Sequence, residues 1–199
     1  MRLIIVRHGE TVENKLDIVQ GWSAAKLNEL GIKQSKALAH CLKKEKIDII
    51  YSSDLKRCKQ SLRPLLQFVN LTPHYSKDLR ERAKGTFFEG KERRILKEWE
   101  NQNPGKILKG GETWADVGLR VSNFLKKNIP LWSGKNVLLM THGGTMQVLL
   151  NLLFGKNNKH ITEIEKGSPS AAITIVTLDD KLVYHLKELY SVAHLGELE

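Results

Sequence analysis

The sequence holds two cysteines in 199 residues and no apolar run longer than about five or six residues. So little thiol excludes a disulfide-stapled scaffold, and a chain of this length can bury a core without cross-links or a structural metal. Cys41 and Cys58 both fall in helical patterns among apolar neighbours, where a thiol acts as a small buried hydrophobe. The short apolar runs exclude a membrane-spanning helix. The first residues lack the cleavage region of a secretory signal, so the cytoplasm is the expected compartment. Repeats, low-complexity tracts and linkers are absent too, which leads us to expect one domain over 1–199. Hydrophobic residues at 41% and charged ones at 27% argue against disorder.

Positive charge is plentiful. Lysine and arginine number 32 against 22 acidic residues, a formal net charge of +10. Such a surface suits nucleic acid, an anionic membrane or small phosphorylated substrates. Many of the lysines come in scattered pairs such as Lys43 and Lys44, the pattern of a solvated helix face, so charge alone selects none of these.

Along the chain, LIIV at 3–6 reads as a strand covered on both faces of a parallel sheet. Asn28 caps a helix over 29–44 with Leu30, Ala37, Leu38, Cys41 and Leu42 as its apolar stripe. A second buried strand, IDIIYSS, spans 47–53, and Ser53 or Asp54 caps a helix that Pro64 kinks or divides. Residues 71–111 are irregular, with a short helix at 92–101, and read as a lid inserted over the sheet. A helix follows over 113–128 with Trp114, Val117, Val121 and Leu125 on one face. Then come a strand at 136–142, a helix ended by Gly155, and a terminal hairpin whose edge leaves a homodimer open. This alternation predicts an α/β fold, a three-layer α/β/α sandwich around a mainly parallel sheet.

Two strands end alike, LIIV in Arg7-His8-Gly9 and VLLMT in His142-Gly143-Gly144, with glycine allowing a tight turn. Ligands of open α/β sheets bind beyond the carboxyl ends of the strands, so His8 and His142 can face one another across one site. A third strand end, YSSDLKR, puts Arg57 in the first turn of a helix, where guanidinium and helix N-terminus both favour an anion. Arg7, Arg57 and two histidines make a pocket for a tetrahedral oxyanion, most naturally phosphate. For a proton donor the lid offers Glu81 or Glu89.

Taken in order, RHGET, Asn14, Gln20-Gly21, LNELG, YSSDLKR, LRE, EG, GGET and HGG resemble the histidine phosphatase superfamily, the phosphoglycerate mutase-like fold, from Leu3 to about Leu178. The resemblance implies that His8 is the nucleophile, that Arg7, Arg57 and His142 hold the phosphate, and that Glu81, which follows LR, protonates the leaving oxygen. It also implies supporting phosphate or substrate contacts from Thr11, Asn14, Gln20, Gly21 and Gly143, and neither metal nor cofactor. Glu10 could orient the loop. After Gln20-Gly21 the family's usual Asp and Pro are replaced in WSAAKL, which puts substrate contacts there in question.

Mutases of this family carry an ERHYG-like segment and longer insertions. Here the chain is short and Ala83 and Lys84 stand where the His and Tyr would be. We therefore expect a metal-independent phosphomonoesterase working through phosphohistidine on a small phosphorylated metabolite, with a 2,3-bisphosphoglycerate-dependent phosphoglycerate mutase as the alternative. Lys84, Lys91, Arg93, Arg94, Lys106 and Lys109 either bind a second anionic group or are solvated charges. A catalytically idle scaffold binding nucleic acid is the third reading. It has only charge behind it, since no aromatic-interleaved basic stripe is present.

Overall fold

The apolar runs that lead into Arg7, Ser53 and Thr141 each become a strand, and the three parallel strands end at the same edge of one sheet. The computed structural model describes residues 1–155 and 160–198. Its strands are β1 (Arg2–Arg7), β2 (Ile49–Ser53), β3 (His74–Ser76), β4 (Asn136–Thr141), β5 (Ile173–Leu178) and β6 (Tyr184–Ser191). Its α-helices are α1 (Val12–Lys15), α2 (Glu29–Leu42), α3 (Lys56–Leu62), α4 (Arg93–Gln102), α5 (Trp114–Asn128), α6 (Gly143–Phe154) and α7 (Ile161–Lys166). The strands form one sheet in the order β3-β2-β4-β1-β5-β6. β1 to β4 run parallel, while β5 pairs antiparallel with β1 and, in the terminal hairpin, with β6.

Strand alternation divides the core. Leu3 and Ile5 point to one face with Val117, Val121, Leu125, Met146, Leu149 and Ile164 from α5, α6 and α7. Ile4 and Val6 point to the other with Leu38, Ala39, Leu42, Cys58 and Leu62 from α2 and α3. The expected three layers, helices on both sides of a mainly parallel sheet, are therefore present. No helix among the described residues is long and apolar enough to cross a membrane.

Several local expectations need correction. The buried face of α2 is Gln34, Ser35, Leu38, Ala39 and Leu42, leaving Leu30, Ala37 and Cys41 half-buried. Neither Ser53 nor Asp54 caps α3. Leu55 holds that position with no side-chain cap, because the Asp54 carboxylate is taken by Arg80 in a two-bond fork at 2.6 Å. Pro64 does end the helix, and a separate turn of 3₁₀ helix follows at Leu65–Gln67. Part of the segment read as irregular belongs to the sheet, since β3 pairs with β2 through Tyr51 and His74. Trp114 leaves the apolar face of α5 and stands half-exposed.

Two glycines join the β1 loop to α2. A Cβ on Gly9 would lie 2.6 Å from the Gly31 carbonyl oxygen, and one on Gly31 only 2.0 Å from that of Glu10. Gly9 has no positive φ, so close approach of two backbones, rather than a tight turn, is what requires glycine there. The Glu10 carboxylate accepts from the Asn28 amide at 2.5 Å, so it does orient the loop.

Candidate active site

Register brings the two histidines together. Arg7 of β1 lies opposite Thr141 of β4, and the His8 amide donates to the Thr141 carbonyl at 3.0 Å. His8 and His142 therefore leave neighbouring strands at the same height, with ring centroids 5.1 Å apart. The cavity beyond them measures about 420 Å³. Its lining includes Arg7, His8, Asn14, Gln20, Gly21, Arg57, Glu81 and Gly143.

His8 is buried, and its Nδ1 lies 2.7 Å from the Gly9 carbonyl oxygen. A carbonyl only accepts, so Nδ1 carries the proton and Nε2 keeps the lone pair. Burial, then the charges of Arg57 and Arg7, hold the His8 imidazole well below its ordinary value of 6.5. It is neutral and nucleophilic at any ordinary working pH.

Arg57 is 1% exposed. Its Nη2 donates to the Gly21 carbonyl at 2.9 Å and its Nε to His142 Nδ1 at 3.1 Å, which ties the 20–23 loop to the end of β4. His142 Nε2 then carries the proton and donates to Ser53 Oγ at 2.8 Å. Both His142 nitrogens are thus engaged by protein, and the ring sits behind Arg57, outside the cavity lining. Burial, followed by Arg57, holds this imidazole well below its ordinary value too.

Arg7 donates to the Ser168 carbonyl through Nη1, while its buried Nε has no partner. A buried guanidinium nitrogen without an acceptor is costly unless an anion meets it. Gly143, the first residue of α6, lies beside the same guanidinium, since a Cβ there would be 3.6 Å from Arg7 Cζ. Helix dipole and guanidinium therefore favour one anion between them.

Glu81 is held from several sides. Its Oε2 accepts from the Gly144 amide at 3.0 Å and its carbonyl from Trp22 Nε1 at 2.7 Å, while Arg80 stacks on the Trp22 ring 4.6 Å from its centroid. Trp22 is thus a rim residue that positions Glu81. A Cβ on Gly144 would meet Glu81 Oε1 at 2.6 Å, so this glycine too serves close approach. Glu89, the other candidate donor, is outside the cavity lining and accepts from the Trp22 amide at 2.7 Å. Thr11 is fully buried as the N-cap of α1, in a reciprocal box with Asn14, so of this pair only Asn14 reaches the cavity.

Sequence reasoning missed one wall. Gly144 and Gln147 of α6 and the stretch from Lys166, the last residue of α7, to Pro169 also line the cavity. Of the six lid cations, only Lys84 and Arg93 face it.

The two neutral buried histidines make stability pH-dependent. The unfolded chain protonates them near pH 6.5 while the native protein does not, so the unfolded state binds more protons and stability falls as pH drops below that value. The slope approaches about 1.4 kcal/mol per pH unit for each histidine. Urea midpoints at pH 7.5 and 5.5 are expected to differ accordingly, and by less in His142→Asn. Equal midpoints for the wild type would contradict neutral burial.

Residues 3–188 match the model of the histidine phosphatase superfamily, branch 1. A broad-specificity phosphatase of Saccharomyces cerevisiae is 29% identical, the alignment covering 100% of this chain and 89% of that protein. A probable phosphoglycerate mutase of Yersinia pestis is 30% identical over 78% of this chain and 75% of its own. Among solved structures, a mycobacterial glucosyl-3-phosphoglycerate phosphatase complexed with VO3 superposes with a TM-score of 0.78 at 25% identity, covering 96% of this chain and 99% of that one.

Proposed function

The chain belongs to branch 1 of the histidine phosphatase superfamily, and from that premise we propose that it is a phosphatase hydrolysing small phosphomonoesters through phosphorylated His8. The observation that carries this reading is the Nδ1–H bond from His8 to the Gly9 carbonyl, which leaves Nε2 as a lone pair beside two guanidiniums.

Nε2 attacks phosphorus as the ester P–O bond breaks. Charge spreads over the equatorial oxygens, where Arg7, Arg57 and the N-terminus of α6 offset it. Glu81 gives its proton to the leaving oxygen, so the alcohol departs neutral. Water then attacks the phosphohistidine and passes a proton to the Glu81 carboxylate. The P–N bond breaks and inorganic phosphate leaves with His8 restored. The exposed rim at Trp114, Lys166 and Pro169 supports a site that water reaches, which favours hydrolysis over return of the phosphoryl group to a second substrate. His142 in this reading holds Arg57 in place, with its Nδ1 as acceptor.

Glu81→Gln keeps the shape and removes the transferable proton. In kcat/KM, which reports only the steps up to departure of the leaving group, it is expected to slow an alkyl phosphate by about 10²- to 10⁴-fold and an activated aryl phosphate by less than about tenfold, because the aryl oxide leaves unaided. Phosphate release in EDTA from both substrates checks this. Equal slowing of the two would remove Glu81 from the role.

A further inference from the structure

Five cationic side chains line the cavity, Arg7, Arg57, Lys84, Arg93 and Lys166, against the single carboxylate of Glu81. A phosphomonoester uses two of them. Arg57 is committed to His142 and the 20–23 loop, and Arg7 Nε is the open donor at the phosphate position. Arg93 has its own counter-ion, with its Nε on the Asp17 carboxylate at 2.6 Å. Lys166 is exposed on the rim. Lys84 differs from these. It is half-buried and, among the described residues, has no ion pair with a carboxylate.

The position of Lys84 is fixed by its backbone. It bridges to Gly111, the neighbouring Ala83 amide donates to the Glu112 carboxylate at 2.8 Å, and Arg120 holds that carboxylate from the other side. The Lys84 ammonium lies 5.7 Å from the centroid of the Trp114 ring, which the Arg82 guanidinium also covers at 4.6 Å. Arg82 is neutralised by Glu100, so Lys84 is the charge that this arrangement presents to the cavity. Around it stand Arg82 and Glu81 on its own segment, Arg93 and Glu100 on α4, and the Trp114 ring on α5. Burial, then the charge of Arg82, brings its ammonium down from 10.5 to about 8. An unpaired, partly desolvated cation on a rigid mount gains most when an anion arrives.

We propose that Lys84 binds a second anionic group, a carboxylate or a second phosphate, on the leaving-group side of the substrate, and so selects phosphomonoesters that carry two anions. This rests on the phosphatase reading above. A lysine that is charged at pH 7 and loses its proton near pH 8 also makes the selectivity decline in alkaline solution.

The test uses three substrates on one three-carbon chain, a phosphate at one end and a hydroxyl, a carboxylate or a second phosphate at the other. The wild type at pH 7 is expected to favour both doubly anionic compounds by about tenfold in kcat/KM, chiefly through KM. Lys84→Met should lose that preference while handling the hydroxyl compound within about twofold, and Lys84→Arg should keep it. Between pH 7 and 9.5 the preference should fall in the wild type and persist in Lys84→Arg, a signature that a merely structural role would not produce. Preference for one doubly anionic compound alone would name the anion recognised. Equal preference in wild type and Lys84→Met would overturn the proposal. Calorimetric titration of the non-hydrolysable phosphonate analogues into the same three proteins decides the role of Lys84 without turnover. Failure to hydrolyse any of the three compounds would instead count against the phosphatase reading.

Discussion

His8→Ala is expected to lower phosphate release from every substrate by about 10⁴- to 10⁶-fold, the scale on which loss of a nucleophile is felt. The expectation is large because Arg7 and Arg57 have nothing to work with unless a nucleophile stands between them. Alanine leaves their anion site in place, so inorganic phosphate should still bind with an affinity close to that of the wild type. That pairing separates chemistry from folding. Loss of phosphate binding together with turnover would mean that the variant had collapsed, and near-normal turnover would mean that water attacks the ester directly.

Gly31→Ala is expected to destabilise the fold by about 3 kcal/mol or more, although alanine is the better helix former by about 1 kcal/mol. The new methyl would sit 2.0 Å from the Glu10 carbonyl oxygen and 2.8 Å from the Glu10 amide nitrogen, both backbone atoms that cannot rotate away. Relief requires α2 to move off the loop that carries His8. The loss of stability should therefore come with a loss of kcat in whatever fraction stays folded. Gly118 on α5 supplies the control, because a Cβ there meets nothing within 4 Å. Gly118→Ala should be neutral or stabilising by up to about 1 kcal/mol. Denaturant midpoints and specific activities of the two variants check both statements, and similar midpoints would show that α2 yields easily.

The strand ends were legible because an apolar run covered on both faces has to stop where polar residues begin. The polar residues after β1 and β4 therefore had to lie together at the carboxyl edge of the sheet. That reasoning gathered Arg7, His8, Arg57 and His142 at one spot; Arg7, His8 and Arg57 line the cavity, as does Gly143, which the family resemblance supplied, whereas His142 lies outside the lining. β3 was illegible since His74, Tyr75 and Ser76 carry no apolar pattern and form a three-residue strand at the edge of the sheet. The Lys166–Pro169 wall had no signal either, since it is shaped by where α7 ends and β5 begins. The charge of Lys84 could be read, but its direction depends on the bridge to Gly111, a contact between residues 27 positions apart in sequence. The same holds for His142. Its place after β4 was clear, whereas its engagement by Arg57 and Ser53 required the fold.

The central claim is a covalent one, that phosphorus is carried by Nε2 of His8. It is tested most directly by mixing the enzyme with phosphorus-labelled substrate, quenching within the first turnover in alkali, and mapping the labelled peptide. The account predicts label on the peptide bearing His8, stable in alkali, lost in mild acid and absent from His8→Ala. Label on any other residue, or full turnover with no labelled protein at any quench time, would contradict it.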